Sequence, residues 1–123
     1  MTTVSPQAER GRFKSRNTYE TRKEVALKIR EQYPNHYPVI VEIDPRARGN
    51  LVITKHKFLA PHDVPLSKFM LEVRKVIQMS RQAPLAVMVE SGHMVSGNSL
   101  MADLYERFKD PDGFLYILFS GDV

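Results

Sequence analysis

The sequence predicts an α+β fold of the β-grasp type. Three observations lead there. The closing segment FLYILF (114–119) is apolar on both faces, and a sheet buries such a strand only in its middle. Helical and extended patterns follow one another as α-β-β-α-β-α-β, without internal repeats or a linker. The length, 123 residues, suits one domain with a sizeable core.

Each element has a local reason. Residues 1–11 are small, polar and unpatterned and are expected to be disordered, which leaves 12–123 as a single domain. Thr18 is placed to cap a helix over about 19–33, whose Val25, Ala26, Ile29 and Tyr33 form one apolar stripe. Pro34 ends it. In YPVIVEI (37–43), Val39, Val41 and Ile43 point to one face, Ile40 and Glu42 to the other. Residues 44–50 read as a loop and LVITKHKFLA (51–60) as a second extended segment. Pro65 opens the most regular helix, 65–79, with Leu66, Phe69, Met70, Val73, Val76 and Ile77 at helical spacing. LAVMV (85–89) is a continuous apolar strand, expected to be buried on both faces. Residues 98–108 read as a short helix with Leu100, Met101, Leu104, Tyr105 and Phe108 inward. The turn DPDG (110–113) leads into the last strand, expected to lie between earlier ones.

Composition narrows the function. The absence of cysteine excludes disulfides, thiolate catalysis and thiolate zinc sites, and fits a cytosolic protein. No apolar run approaches the ~20 residues of a membrane span. MTTVSPQAERGRFKSR (1–16) lacks the apolar segment of a secretory signal. Residues 1–30 hold eight Lys/Arg against three acids, so the net charge of +4 belongs to one end of the chain. That end either meets an acidic partner or is a solvated helix face. A nucleic-acid-binding module would interleave stacking aromatics with the cations, and only Phe13 and Tyr19 are near.

Enzyme chemistry finds no foothold. His36, His56, His62 and His93 show no metal-ligand spacing. Asp110, Asp112 and Gly113 begin a calcium-loop pattern whose other ligands are missing. Ser91-Gly92-His93 lacks the frame of a nucleophile elbow, and Gly92 and Gly97 form no phosphate loop. No catalytic residue, metal or cofactor is expected.

From about Phe13 to Ser120 the sequence resembles the autophagy ubiquitin-like modifiers, the light-chain-3 / GABARAP group. IREQYPNHYPVIVE (29–42), KHKFLAPHDV (55–64), FMLEVRKVIQM (69–79) and LYERFKDPDGFLYILFS (104–120) carry the resemblance, and DPDGFLYI is closer to the light-chain-3 branch. It implies a ubiquitin-like β-grasp with an additional N-terminal helical segment. It also implies conjugation, through a C-terminal glycine, to phosphatidylethanolamine on autophagosomal membranes. The implied partners are a processing cysteine protease, ubiquitin-like activating and conjugating enzymes, and the membrane only through covalent lipid. The implied location is the cytoplasm, with autophagosomal membrane association after lipidation. Autophagy receptors and adaptors would bind through a short acidic motif with an aromatic and an aliphatic residue three apart.

Such a peptide adds a strand to a free sheet edge and sends alternate side chains into pockets. Matching positions imply an edge at Lys55 to Leu59 and a first pocket of Ile29, Pro38, Ile40, Lys57, Leu59 and Phe114. They imply a second pocket of Phe58, Pro61, Leu66, Phe69 and Val73, with Arg16, Lys55, Lys57 and Arg74 meeting the acids. Plainer readings stay open: Ile29, Ile40 and Val73 as core, Lys55 and Lys57 as edge lysines that block aggregation. Alternation puts one of Phe58 and Leu59 on the outer face, and replacing both by alanine is expected to remove peptide binding while leaving the fold intact.

Two departures touch the second pocket. Glu72 stands where the family usually has an aliphatic residue, and Val76 where it usually has arginine. The family also continues several residues past the position of Ser120 to a glycine, whereas Gly121-Asp122-Val123 closes this sequence. A longer tail, a non-conjugated relative and Gly121 as the acceptor are the three readings.

Overall fold

The computed structural model describes residues 12–44, 52–78 and 86–120. The expectations for residues 1–11, for the loop after Asp44 and for Gly121 lie outside these. In chain order the elements are α1 (Phe13–Arg16), α2 (Tyr19–Gln32), β1 (His36–Ile43), β2 (Val52–Ile53), β3 (Lys57–Pro61), α3 (Leu66–Arg74), β4 (Ile77–Gln78), β5 (Ala86–Val89), α4 (Met101–Phe108) and β6 (Leu115–Ser120).

The main sheet has the order β3-β1-β6-β5, with β1 and β6 parallel and both outer pairs antiparallel. The last strand thus lies between two earlier ones, as its sequence predicts. Val39, Val41 and Ile43 of β1 face the main core, together with Leu66, Phe69 and Val73 of α3 and Met101, Leu104 and Tyr105 of α4. The opposite face carries a second core, in which Ile40, Phe114 and Tyr116 meet Phe13 and Ala26. Covering both faces explains why FLYILF is buried from end to end.

Several boundaries differ from the sequence reading. The second extended segment breaks into β2 and β3, because β2 pairs with β4 in a separate two-stranded sheet. That pairing also ends the long helix early. Its periodicity runs on to Ile77, but Val76 N–H donates to Val73 O as the helix closes, and Ile77 is buried from a strand. Strand β5 is an edge strand, so only Val87 and Val89 are buried while Ala86 and Met88 are half-exposed, contrary to the two-faced burial expected. Helix α4 begins at Met101, with Leu100 flanking it in extended backbone and 42% exposed. Tyr33 closes α2 and is exposed, outside the expected apolar stripe.

The N-terminal helices are tied to the sheet by charge. Thr18 caps α2 by accepting from Thr21 N–H. Phe13 N–H donates to the buried Glu42 (2.7 Å), which Arg12 approaches at 3.6 Å. Lys14 bridges Glu90 (2.5 Å) and Asp110 (2.7 Å), and Arg22 pairs with the fully buried Asp112 (2.9 Å). The basic end therefore meets the protein's own carboxylates at Arg12, Lys14 and Arg22. Gly113 closes the DPDG turn at φ +96°, and a Cβ there would sit 3.0 Å from that of Ala26. The turn thus seats directly beneath α2.

This arrangement sets a pH dependence. Burial pushes Asp110 upward, but the Lys14 hydrogen bond, the Asp112 N–H and nearby positive charge outweigh it and hold the carboxyl below 3.8. A depressed carboxyl stabilises the fold above its unfolded value, and that stabilisation is lost as pH falls through the folded value. Urea unfolding of wild type and Lys14→Met is expected to show the wild type more stable near neutrality, with the two converging between about pH 5 and pH 2. Glu42, which burial pushes above 4.5, is common to both proteins and cancels.

Candidate functional site

Strand β3 pairs only with β1, so its outer backbone edge is open among the described residues. Its residues alternate strictly. Lys57 and Leu59 face outward, while Phe58 and Ala60 are buried. The segment before it is held by His56: its carbonyl accepts from Val41 N–H at 2.8 Å, and its Nδ1 donates to Val41 O at 3.1 Å.

Beside this edge runs a groove of about 820 Å³. One wall is the strand, with Lys55, Lys57, Leu59 and Pro61. Ile29 of α2 and Tyr33, which follows the helix, close one part of it. On the other side of the strand, where Phe58 points, the wall is α3 and its flanks, with Val64, Lys68, Glu72, Lys75 and Val76. Phe58 and Phe69 form the floor, packed edge-to-face at 5.6 Å between centroids. Lys55 Nζ lies 4.9 Å from the Phe58 ring, which places a cation over that floor.

The walls are positioned by short connections. Four residues (62–65) join β3 to α3, so the helix returns alongside the strand it follows. At the far end, Thr54 N–H donates to Val76 O at 3.1 Å, which holds the end of α3 against the approach to β3. The buried stripe Leu66, Phe69, Val73 turns α3 so that its flank forms the groove wall.

The structure brings seven expected site residues together here: Ile29, Lys55, Lys57, Phe58, Leu59, Pro61 and Phe69. It places others behind the groove. Ile40 and Phe114 are fully buried in the second core, against which Ile29 packs. Leu66 and Val73 are fully buried in the main core. Pro38 is buried in β1, opposite Leu59. Arg16 ends α1 and Arg74 ends α3, and neither lines the groove. The groove also takes Tyr33, Val64, Lys68 and Lys75, which sequence reasoning did not assign to it. A signal existed: Lys68 and Glu72 stand four residues apart on α3 beside its buried stripe, and Val64 and Val76, just beyond its two ends, continue the same spacing. Among the described residues no three His, Asp or Glu converge as a metal site.

A β-grasp sheet with an open edge at β3, a helix returning beside it and two added N-terminal helices defines a ubiquitin-like protein with a peptide-sized surface groove. The comparisons agree. Residues 21–123 match the family described as "Autophagy protein Atg8 ubiquitin like". The chain is 41% identical to "Autophagy-related protein 8e" of Arabidopsis thaliana over 112 residues, covering 89% of this chain and 88% of that one. It is 39% identical to "Autophagy-related protein 8" of Dictyostelium discoideum over 111 residues, 89% of each chain. The crystal structure of Trypanosoma brucei ATG8 superposes with a TM-score of 0.83 at 33% identity, over 91% of this chain and 95% of that one. The chain belongs to the Atg8 family of autophagy-related ubiquitin-like proteins.

Proposed function

We propose that this protein is a ubiquitin-like modifier that recruits autophagy receptors and adaptors by binding their aromatic-x-x-aliphatic segments in the groove beside β3. The observation that carries this reading is the open edge of β3 next to apolar side chains rimmed by lysines. A bound peptide extends the sheet by main-chain hydrogen bonds and places its two anchors against Leu59 and over Phe58 and Phe69. Exposed pairs with Lys55 and Lys57 add roughly 0.2–1 kcal/mol each, so the anchors supply most of the affinity and the charges speed encounter.

The same reading has the protein joined to phosphatidylethanolamine after processing by a cysteine protease and transfer by activating and conjugating enzymes. It then works in the cytoplasm and on autophagosomal membranes, as a binding platform that catalyses no reaction itself. Family membership supports this part, and a lipid adduct formed with the conjugating enzymes of a relative is its direct test.

Leu59→Ala tests the groove. Leu59 is 39% exposed, so its truncation leaves the core intact. Losing its contact with an anchor is expected to weaken a receptor peptide by about tenfold, with the unfolding midpoint unchanged. Titration calorimetry that finds equal affinity for both proteins refutes the placement of the peptide.

A further inference from the structure

We infer that Glu72 makes the groove electrostatically two-sided: it takes peptide acids along the strand wall and disfavours them along the helix wall, where it favours a basic residue. This rests on the docking reading above.

The charges that line the groove are unevenly distributed. Lys55, Lys57, Lys68 and Lys75 supply the cations, and Glu72 is the one carboxylate among the lining residues described. Lys55 and Lys57, on the strand wall, meet no carboxylate among the described residues and are available to a peptide's acids. On the helix wall, Glu72 stands four residues after Lys68 and three before Lys75, at the spacing of neighbours on a helix surface. It bonds Lys75 at 3.2 Å, and both side chains are about two-thirds exposed. Lys68, one turn earlier, keeps its charge for that end of the wall, so the effect belongs to the turn of Glu72 and Val76, where a peptide acid meets a carboxylate whose closest ammonium is already engaged. A peptide lysine or arginine finds an exposed carboxylate with acceptor capacity to spare. Four residues further on, Val76 adds no charge to the wall. Because Thr54 is bonded to Val76, the helix wall runs beside the lysine-bearing strand. Register puts Lys57 opposite Ile40, on the α2 side of β3. Glu72 belongs to the helix packed on the other side with Val39 and Phe58, so the two charge preferences lie on opposite sides of the open edge.

Exposed pairs of this kind change affinity by roughly two- to fivefold and weaken with salt. The test is a set of synthetic peptides with one aromatic-x-x-aliphatic core, in which each non-anchor position carries Asp, Gln or Lys in turn. Binding is read by fluorescence anisotropy at low salt. Wild type is expected to prefer Lys over Asp by about threefold at one or more positions. Glu72→Gln is expected to remove that preference there, and Glu72→Lys to reverse it, while Asp stays preferred at the positions facing Lys55 and Lys57. Preference for Asp at every position in wild type, or a Lys preference unchanged in Glu72→Gln, overturns the inference and leaves docking standing. Failure of every peptide to bind wild type overturns the docking reading and this inference with it.

Discussion

Asp112→Ala is expected to destabilise the protein by about 3–5 kcal/mol and to loosen its N-terminal helices from the sheet. The Asp112 side chain is fully buried and its carboxylate receives three donors: Arg22 Nε at 2.9 Å, the Tyr116 hydroxyl at 2.6 Å and the Phe114 N–H at 2.8 Å. Burial and the bond to Asp112 push the Tyr116 hydroxyl far above its ordinary range, so it stays a donor at every working pH. Alanine leaves the guanidinium, the hydroxyl and the amide facing an apolar space without their acceptor, and a half-satisfied buried network costs more than its bonds contribute. Urea unfolding measures the total. Hydrogen exchange of the amides of α1 and α2 tests the location, because these helices carry Arg22 and pack Phe13 and Ala26 over Phe114 and Tyr116. Breaking the exposed Glu24–Lys28 pair, in contrast, is expected to change stability by less than about 0.5 kcal/mol. Equal effects at the two sites refute the buried tie.

Phe58→Ala is expected to cost about 3 kcal/mol of stability, the lower end of the range for a core phenylalanine because one side of the ring borders the open groove. Phe58 is 9% exposed and packs edge-to-face on Phe69. The neighbouring substitution Leu59→Ala is expected to leave the unfolding midpoint in place. The sequence reading treated the two as a pair whose joint replacement would spare the fold. The strand separates them: β3 sends Leu59 outward and Phe58 into the core, so a loss of peptide binding in the double variant would mix lost contact with lost structure. Chemical unfolding of each single variant decides this, and similar midpoints for both disprove the assignment of faces.

Much of the architecture is written locally. Thr18 before an apolar stripe, Pro34 after it, the alternation of 37–43 and the two-faced apolar run 114–119 each specify their element without outside help. Where the reading slipped, a distant partner decided. Ile77 continues the helical stripe of α3 in sequence, yet it pairs with Ile53 and leaves the helix. LAVMV has the composition of a central strand, yet β5 lies at the sheet's edge, where one face stays half-exposed. The candidate site divides in the same way. The residues of β3 could be placed from alternation, whereas Lys68 and Lys75 join the groove through the rotation of α3, which the core stripe imposes. Ile40 and Phe114 lie behind the groove, under the N-terminal helices, because the second face of the sheet is covered as well.

By itself the sequence determined the order and type of the larger elements (α2, β1, β3, α3, β5, α4 and β6), the central place of the last strand and the membership of the chain in its family, because these rest on short-range periodicity and on motifs contiguous in the chain; the short α1, β2 and β4 escaped it. Only the tertiary structure decided which carboxylates absorb the basic end, which of Phe58 and Leu59 faces solvent, and which side chains of α3 look across at the open edge. Ion pairs and burial depend on approaches between residues far apart in the chain, 96 positions in the case of Lys14 and Asp110 and more for Phe13 on Tyr116, and no local pattern encodes a distance of that kind.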